Sequence, residues 1–336
     1  MKRAAQRGAA ILIAMLAVAM VATFAAAALW QQWRTVEVET AERARVQSAW
    51  ILTGALDWAR LLLREDQIGA GAGGADHLGE PWAVPLQEAR LSSFLAADKN
   101  NTSTDAGPEV MDAFLSGQIV DLQSFMNINN LVKSSGQVSD EDVEAFGRLF
   151  EMLGLPQSEL DKLVENLRFS IAAGLASPSP LQAPLRPQRE GDLAWLGVSP
   201  QTIAAIEPFV TLLPTPNHTL VNANTASAEV IAAVGGVDLS DAQRAVQVRN
   251  ASYFKSAAEI NAALNRGVGA APSGGQGELS FRTDWFEVRA KLRLDKIVVE
   301  ERSMVQRNGA AVAVVRRERG AIDPATEAAR TAISQR

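Results

Sequence analysis

The sequence predicts an α+β protein in which one long N-terminal helix packs on an antiparallel sheet and a large all-α domain is inserted before the last strands. Three observations predict this fold. An uncharged stretch of 21 residues, Ala9 to Leu29, follows a short basic leader. The middle of the chain carries repeated helix-start signals. Near the C-terminal end, apolar and charged side chains alternate with the period of a strand.

The uncharged stretch is long enough to cross a membrane. As a helix it rises about 30 Å, the thickness of the hydrocarbon core of a bilayer. The basic leader, residues 1–8, should stay on the cytoplasmic side, and Trp30 and Trp33 fall where indoles favour the opposite headgroup layer. We therefore expect a single-pass protein whose body lies across the membrane from the leader.

The apolar pattern continues past the membrane-length stretch. It predicts one helix from about Ala9 to about Asp66, with its first third in lipid and the rest packed on a soluble body. A removable secretory signal peptide is the alternative, but its apolar part is shorter and ends at a cleavage site. The residues that recur at intervals of three and four are Ala49, Leu52, Leu56, Ala59 and Leu63.

The central part of the chain is predicted to be mostly helical. Residues Ile119 to Leu131 are interpreted as a short strand pair. Four prolines between Pro178 and Pro187 indicate a non-helical linker. The predicted helices start at Ser139, at Ser158 (through about Ile171) and at Ser199-Pro200 (toward Glu207), and capping boxes pair Ser240 with Gln243 and Ser256 with Glu259.

Residues 221–264 resemble a helix-hairpin-helix module, which in other proteins grips DNA phosphates. Counterion release requires several cations on the binding face. Three basic residues stand against four acidic ones in this segment, and Asp238 and Asp241 fall where a phosphate would approach. We therefore expect no nucleic acid partner, and a membrane-anchored DNA-binding or uptake protein stays the alternative function.

The C-terminal region predicts three strands. The first strand is predicted at Phe286 to Asp295, where apolar and charged residues alternate, and the second at Val298 to Gln306. A two-residue turn at Asn308-Gly309 leads into the third strand, Ala311 to Val315. This meander is expected to pack on the amphipathic half of the first helix. The charged residues 317–336 are expected to be a disordered tail.

Composition favours a structural protein over an enzyme. The 336-residue chain is 47% hydrophobic with a net charge of −6 and no cysteine, which excludes disulfides and thiolate metal sites. The two histidines, His77 and His218, have no metal-ligand spacing, and the acidic pair Glu65-Asp66 is interpreted as a solvated helix end. A membrane-anchored enzyme with an unrecognised site stays a second alternative.

A loop rich in oxygen ligands is the candidate metal site. The spacing of its oxygen-bearing side chains would allow them to surround a calcium ion. The glycine and terminal Glu of the complete calcium loop are missing, so an ordinary polar loop is the competing interpretation. The candidate ligands are Asp98, Asn100, Thr102 and Asp105.

The basic leader that ends at Gly8, followed by a membrane-length helix that continues as a stalk, resembles the type IV pilin and pseudopilin superfamily. The resemblance implies that a prepilin peptidase cuts between Gly8 and Ala9 and methylates the amino group of Ala9. Most such proteins carry Glu at the fifth mature position, where this chain has Ile13. In the superfamily that Glu pairs with the amino terminus of the subunit ahead, so a subunit with nothing ahead of it does not need one.

Two short motifs narrow the resemblance. Asp121-Leu122-Gln123 with Asn127 to Leu131, and the run Asn222 to Ala226, are similar to signatures of the K-type minor pseudopilin of the type II secretion system. Members of this K-type branch also lack the Glu at the fifth mature position. The resemblance extends from Arg7 to about Arg316.

The resemblance implies a domain order and a function. The expected parts are a leader (1–8), a transmembrane segment (9–29), a pilin-like part (30–132), an inserted α-helical domain (133–266), the C-terminal strands (267–316) and the tail (317–336). The subunit would cap the tip of the pseudopilus and support its initiation and protein export, with I-type and J-type minor pseudopilins as partners. It would sit in the bacterial inner membrane with its body in the periplasm. Calcium is a possible ligand because family members hold it.

Overall fold

The first helix, α1, runs from Arg7 to Ala70 and confirms the prediction of one continuous anchor and stalk. The computed structural model describes residues 7–70, 74–91, 113–175, 182–265, 279–294 and 297–321. Side chains from Ala10 to Arg43 are exposed, whereas burial begins from Ala44 onward. Only the second half of α1 therefore packs on the body.

A five-stranded antiparallel sheet with strand order β1-β2-β7-β8-β9 forms the platform under α1. Its first two strands were not anticipated from the sequence. The strands of the chain are β1 (Leu86–Arg90), β2 (Ala113–Asp121), β3 (Met126–Asn127), β4 (Val210–Thr211), β5 (Val221–Asn222), β6 (Leu279–Ser280), β7 (Trp285–Leu294), β8 (Ile297–Asn308) and β9 (Ala311–Ala321).

The predicted alternation in β7 decides which face packs on the helix. The side chains that face α1 are Phe286, Val288, Ala290 and Leu292, and they meet the predicted stripe Leu52, Leu56, Ala59 and Leu63. Phe286 is fully buried, and the ring of Trp82 meets it edge-on with centroids 5.2 Å apart. The helix-on-sheet arrangement expected from the period-two pattern is confirmed.

The hairpin between β8 and β9 differs from the predicted turn. Asn308 pairs with Ala311, so the two loop residues are Gly309 and Ala310 rather than Asn308 and Gly309. Gly309 has φ +57°, which places a glycine at the first loop position, as in a type II′ turn.

The last strand is longer than predicted, because residues 317–321 continue β9 instead of starting a disordered tail. Buried Glu301 on β8 pairs with Arg317 at 3.2 Å and with Arg319, its cross-strand neighbour. Opposite charges across adjacent strands stabilise the pairing, so a charged segment can extend the strand. Residues 322–336 lie outside the described part of the chain.

The chain leaves the sheet at Asp121 and returns to it at Trp285, and the insert between these residues is mainly helical. Its core starts with Met126, Ile128 and Leu131, which the sequence placed in the pilin-like part at 30–132. Two short parallel strand pairs, β3 with β4 and β5 with β6, bring distant segments of the insert together. The helices are α2 (Asp140–Met152), α3 (Gln157–Leu175), α4 (Pro200–Ile206), α5 (Ala228–Gly235), α6 (Leu239–Ala251) and α7 (Ala257–Ala263).

Two local predictions in the insert are wrong. Residues 122–131 form two 3-10 turns around β3 instead of a strand pair, because Asp121 and Asn127 each accept a hydrogen bond from the backbone N–H two residues ahead. Ser240 is not a cap, since α6 already begins at Leu239. The predicted Ser256 cap is confirmed: its side chain accepts from the Glu259 N–H.

Candidate functional site: the exposed anchor and the buried junction

The first half of α1 is an unpacked rod. Residues 10–43, about 50 Å of helix at 1.5 Å per residue, extend with exposed side chains. Within the described residues α1 is the helix that is long and apolar enough to span a bilayer, with a mean hydropathy of 2.5 over 18 residues and none of those residues buried. The chain therefore presents a membrane-length apolar surface that its own body does not cover.

The residues of the predicted cleavage site lie at the start of this rod. Gly8 and Ala9 belong to the first turn of α1, which begins at Arg7. Ile13 is 66% exposed, so its side chain is directed away from the protein. Cleavage after Gly8 and methylation of Ala9 stay predictions.

A second feature is the buried junction, which we define by Asp66, Asp76, Asp121, Asn222 and Arg307. Arg307, at the end of β8, is 3% exposed. Its guanidinium donates to Asp66 on α1 at 3.0 Å, to Asp76 in the loop that follows α1, and to the Thr283 carbonyl at 2.7 Å. One cation thus joins the end of the stalk, the loop after it and the sheet.

Asp121 extends the junction into the insert. Its Oδ2 accepts hydrogen bonds from the Asn222 side chain at 2.9 Å and from the Thr225 hydroxyl at 2.5 Å. Asn222 also donates to the Asp76 carbonyl at 3.1 Å. Burial raises the pKa of Asp121 to about 6, although these hydrogen bonds favour the ionised form. The last residue of β2 therefore holds the insert against the sheet.

The amide side chains of the two sequence motifs add further links. Gln123 donates to the Leu220 carbonyl at 2.7 Å and accepts from the Asp284 N–H at 2.7 Å. Asn224 both donates to the carbonyl of Phe254 and accepts from its N–H, at 2.9 and 2.8 Å. The motifs that carry the family resemblance are thus hydrogen-bonded connections between segments far apart in sequence.

Sequence reasoning missed Asp76 and Arg307. Asp76 follows a small-residue loop and has no local pattern. The burial of Arg307 could have been predicted from its position in the strand. Alternate residues of a strand point to the same face, and Ser303 and Val305 face α1. A charged residue on the core-facing side of a strand needs a buried partner.

Three carboxylates lie close enough to suggest a cation site: atoms of Asp66, Asp76 and Glu80 are within 4.8 Å of one another. The Arg307 guanidinium already forms ion pairs with the first two. Glu80 Oε2 accepts from the His77 N–H at 2.9 Å and the Trp82 indole at 2.7 Å. Because a guanidinium contacts two of the carboxylates, this cluster does not fit a calcium ion.

The predicted calcium ligands lie outside the described residues. These are Asp98, Asn100, Thr102 and Asp105. The interpretation of Glu65-Asp66 as a solvated pair is half wrong, because Glu65 is exposed whereas Asp66 forms the ion pair with Arg307.

The two histidines occupy separate environments. His77 stacks on Tyr253 with ring centroids 3.7 Å apart, and burial lowers its pKa. His218 Nε2 lies 3.0 Å from Asp142 Oδ1, a hydrogen bond that raises its pKa. Within the described residues, neither belongs to a group of side chains positioned to hold a metal ion.

Glu80, which lies beside the buried junction, should make stability depend on pH. Burial raises the pKa of Glu80 to about 7 from an unfolded value near 4.5. The folded carboxyl therefore keeps its proton where the unfolded one has lost it, so its contribution is present at low pH and is lost as pH rises from about 4.5 to about 7. We expect the Tm to fall between pH 5.5 and 7.5 more steeply for the wild type than for Glu80→Gln, whose amide oxygen can accept the same two hydrogen bonds. Parallel Tm curves for the two proteins would contradict this.

Two family models match the chain, both described as type II secretion system (T2SS), protein K. One matches residues 124–215 and the other residues 221–276. Both matches lie in the insert, and they include the amide-rich motifs around Asn127 and Asn222.

Similarity to one curated protein extends beyond the insert. The chain is 27% identical over 273 residues to type II secretion system protein K of Pseudomonas aeruginosa, covering 76% of this chain and 75% of that protein. Among solved structures, a chain of the GspK-GspI-GspJ complex from the enterotoxigenic Escherichia coli type 2 secretion system matches with a TM-score of 0.60 and 16% identity. That match covers 84% of this chain and 99% of the other, and it shows that the two share a fold.

Proposed function

We propose that the chain, which matches two family models described as type II secretion system protein K, is a minor pseudopilin that caps the tip of the pseudopilus and supports its initiation and protein export. The observation that carries the proposal is the buried junction. In a filament shaft, each subunit must leave room for the subunit stacked above it. An insert held to the sheet by Arg307, Asp121 and Asn222 would occupy the space above the subunit, which supports a terminal position.

The start of α1 supports the same position. A carboxylate in the membrane is costly unless a partner charge meets it. Ile13 removes that carboxylate at the position where shaft subunits of the superfamily carry Glu. A subunit with Ile13 can follow others into the filament but has no need of a subunit ahead of it.

The exposed rod also supports the proposed partners and location. Residues 10–30 offer an apolar helical surface on which the helices of I-type and J-type minor pseudopilins would pack, as the composition of the GspK-GspI-GspJ complex suggests. The prepilin peptidase would act on Gly8 before assembly. The body would then lie in the periplasm, anchored in the inner membrane.

Nucleic acid binding is disfavoured by the environment of the hairpin cations. Arg249 is turned inward and donates to the carbonyls of Ala223 and Ala226, at 2.6 and 2.5 Å. Arg244 pairs with Asp241 at 2.8 Å. Counterion release needs cations that are free to meet phosphates, and these two are engaged. We propose a structural role without catalysis, and calcium binding by the loop at 98–105 stays a proposal from the family resemblance.

Mass spectrometry of the protein extracted from membranes tests the anchor. We expect a mature chain that begins with methylated Ala9, because the peptidase would recognise the leader that ends at Gly8. A Gly8→Leu variant should keep its intact leader, whereas a conservative leader change such as Arg7→Lys should still be processed. An intact Met1 in the wild type, or a cut beyond Leu29, would contradict the proposed route into the pseudopilus.

A further inference from the structure

A groove of about 710 Å³ separates the insert from the edge of the sheet. Residues 129–134 form one wall, residues 186–188 and 212–218 form another, and α3 supplies the floor. Val315 and Arg316 close it from β9, the outer strand of the sheet. We call this the basic groove.

The charged side chains that line the basic groove are all basic. Its lining includes Lys133, Arg186, Arg316 and His218 and no Asp or Glu among the described residues, although the whole chain has a net charge of −6. Glu318, at 3.3 Å, partly offsets the positive charge of Arg316, and Asp142 lies 3.0 Å from His218. No ion pair joins Lys133 or Arg186 to a carboxylate in the part of the chain that the structure describes. Arg186 donates to the neutral side-chain oxygen of Asn129 at 3.4 Å. Two exposed cations without a carboxylate partner are therefore available to an anionic ligand.

The floor of the groove has a buried polar group without a partner. The Ser170 hydroxyl on α3 is fully buried and makes no hydrogen bond with any described residue. Around it the lining is apolar or proline-rich, with Ile171, Leu212 and Pro214. A ligand that suits this surface combines negative charge with hydrogen-bonding groups and apolar contact area.

We propose that the basic groove binds an extended acidic peptide segment of a partner protein. A single small anion would need donors that converge on one point, whereas these cations come from separate chain segments that line a cavity large enough for several residues. Carboxylates spaced along a peptide can meet Lys133 and Arg186 at the rim while the backbone lies over the floor. This assignment does not depend on the tip position proposed above.

Fluorescence anisotropy of the full chain in detergent micelles tests the assignment. The probe is a fluorescein-labelled hexapeptide of alternating aspartate and leucine, compared with the same peptide carrying asparagine in place of aspartate. We expect the aspartate peptide to bind at least tenfold more tightly at low salt, and its affinity to fall as salt is raised from 0.05 to 0.5 M, because exposed charge pairs are screened.

Matched variants locate the binding site. Lys133→Gln with Arg186→Gln should weaken binding of the aspartate peptide about tenfold, whereas Arg244→Gln with Lys255→Gln, an equal loss of charge outside the groove, should leave it unchanged. Ser134→Glu places a carboxylate at an exposed lining position and should abolish binding without affecting the fold, which a thermal unfolding curve checks. Equal affinity for both peptides, unchanged binding by the groove variants, displacement by millimolar inorganic phosphate or tighter binding of single-stranded DNA would each overturn the proposal.

Discussion

Arg307→Ala should lower the free energy of unfolding by about 3–5 kcal/mol, the range for removing one partner of a buried ion pair. The variant would leave Asp66 and Asp76 without their cation in a site where Arg307 itself is only 3% exposed. It would also release the Thr283 carbonyl. Urea unfolding followed by tryptophan fluorescence measures the change, and the insert should become more susceptible to proteolysis because it loses its fixed position.

The matched control for this variant is Arg43→Ala. Arg43 pairs with Glu39 at 3.1 Å on the exposed part of α1, and such surface pairs contribute about 0–1 kcal/mol. Arg307→Met combined with Asp66→Asn and Asp76→Asn should recover part of the loss, since no buried charge is then left unpaired. A loss below about 1 kcal/mol for Arg307→Ala would show that the junction does not hold the insert.

Phe286→Ala should cost a similar amount, about 3–5 kcal/mol, as large aromatic truncations in a core do. Phe286 is fully buried between the sheet and α1, meets Trp82 edge-on, and has the Arg307 guanidinium carbon 5.0 Å from its ring centroid. Its removal would open a cavity beneath the stalk. We expect lower stability by urea unfolding and a weaker hold of α1 on the sheet, seen as faster amide hydrogen exchange in residues 52–63.

Val314→Ala is the control on the same sheet, because Val314 is 38% exposed on β9. Partly exposed positions away from the core change stability by about 0.5 kcal/mol. If Phe286→Ala and Val314→Ala were equally mild, the helix would not depend on this core.

The elements with strong periodicity were predictable from the sequence. α1, β7 and the meander follow from side chains that repeat with periods of 3.6 and two, and the structure confirms them. β1 and β2 were missed because they are stabilised by strand pairing, β1 with β2 and β2 with β7, rather than by a local pattern. The end of β9 was missed because Arg317 and Arg319 look like solvated residues in the sequence. Their ion-pair partner, Glu301, lies on the neighbouring strand.

The site was predictable only in part. The motifs around Asp121, Asn127 and Asn222 were visible, but sequence alone assigned them a resemblance and not a contact. Their partners lie far away along the chain: Asp121 meets residues 222 and 225, and Arg307 meets Asp66. Such pairings depend on how the insert docks on the sheet, which no local signal encodes.

The position of the subunit in the filament is the central claim, and electron microscopy tests it directly. Pseudopili would be assembled with a gold-labelled epitope tag on an exposed loop of the insert, such as the one at Ser135. We expect one gold particle at one end of each filament. Gold particles repeated along the shaft would contradict the proposed tip position.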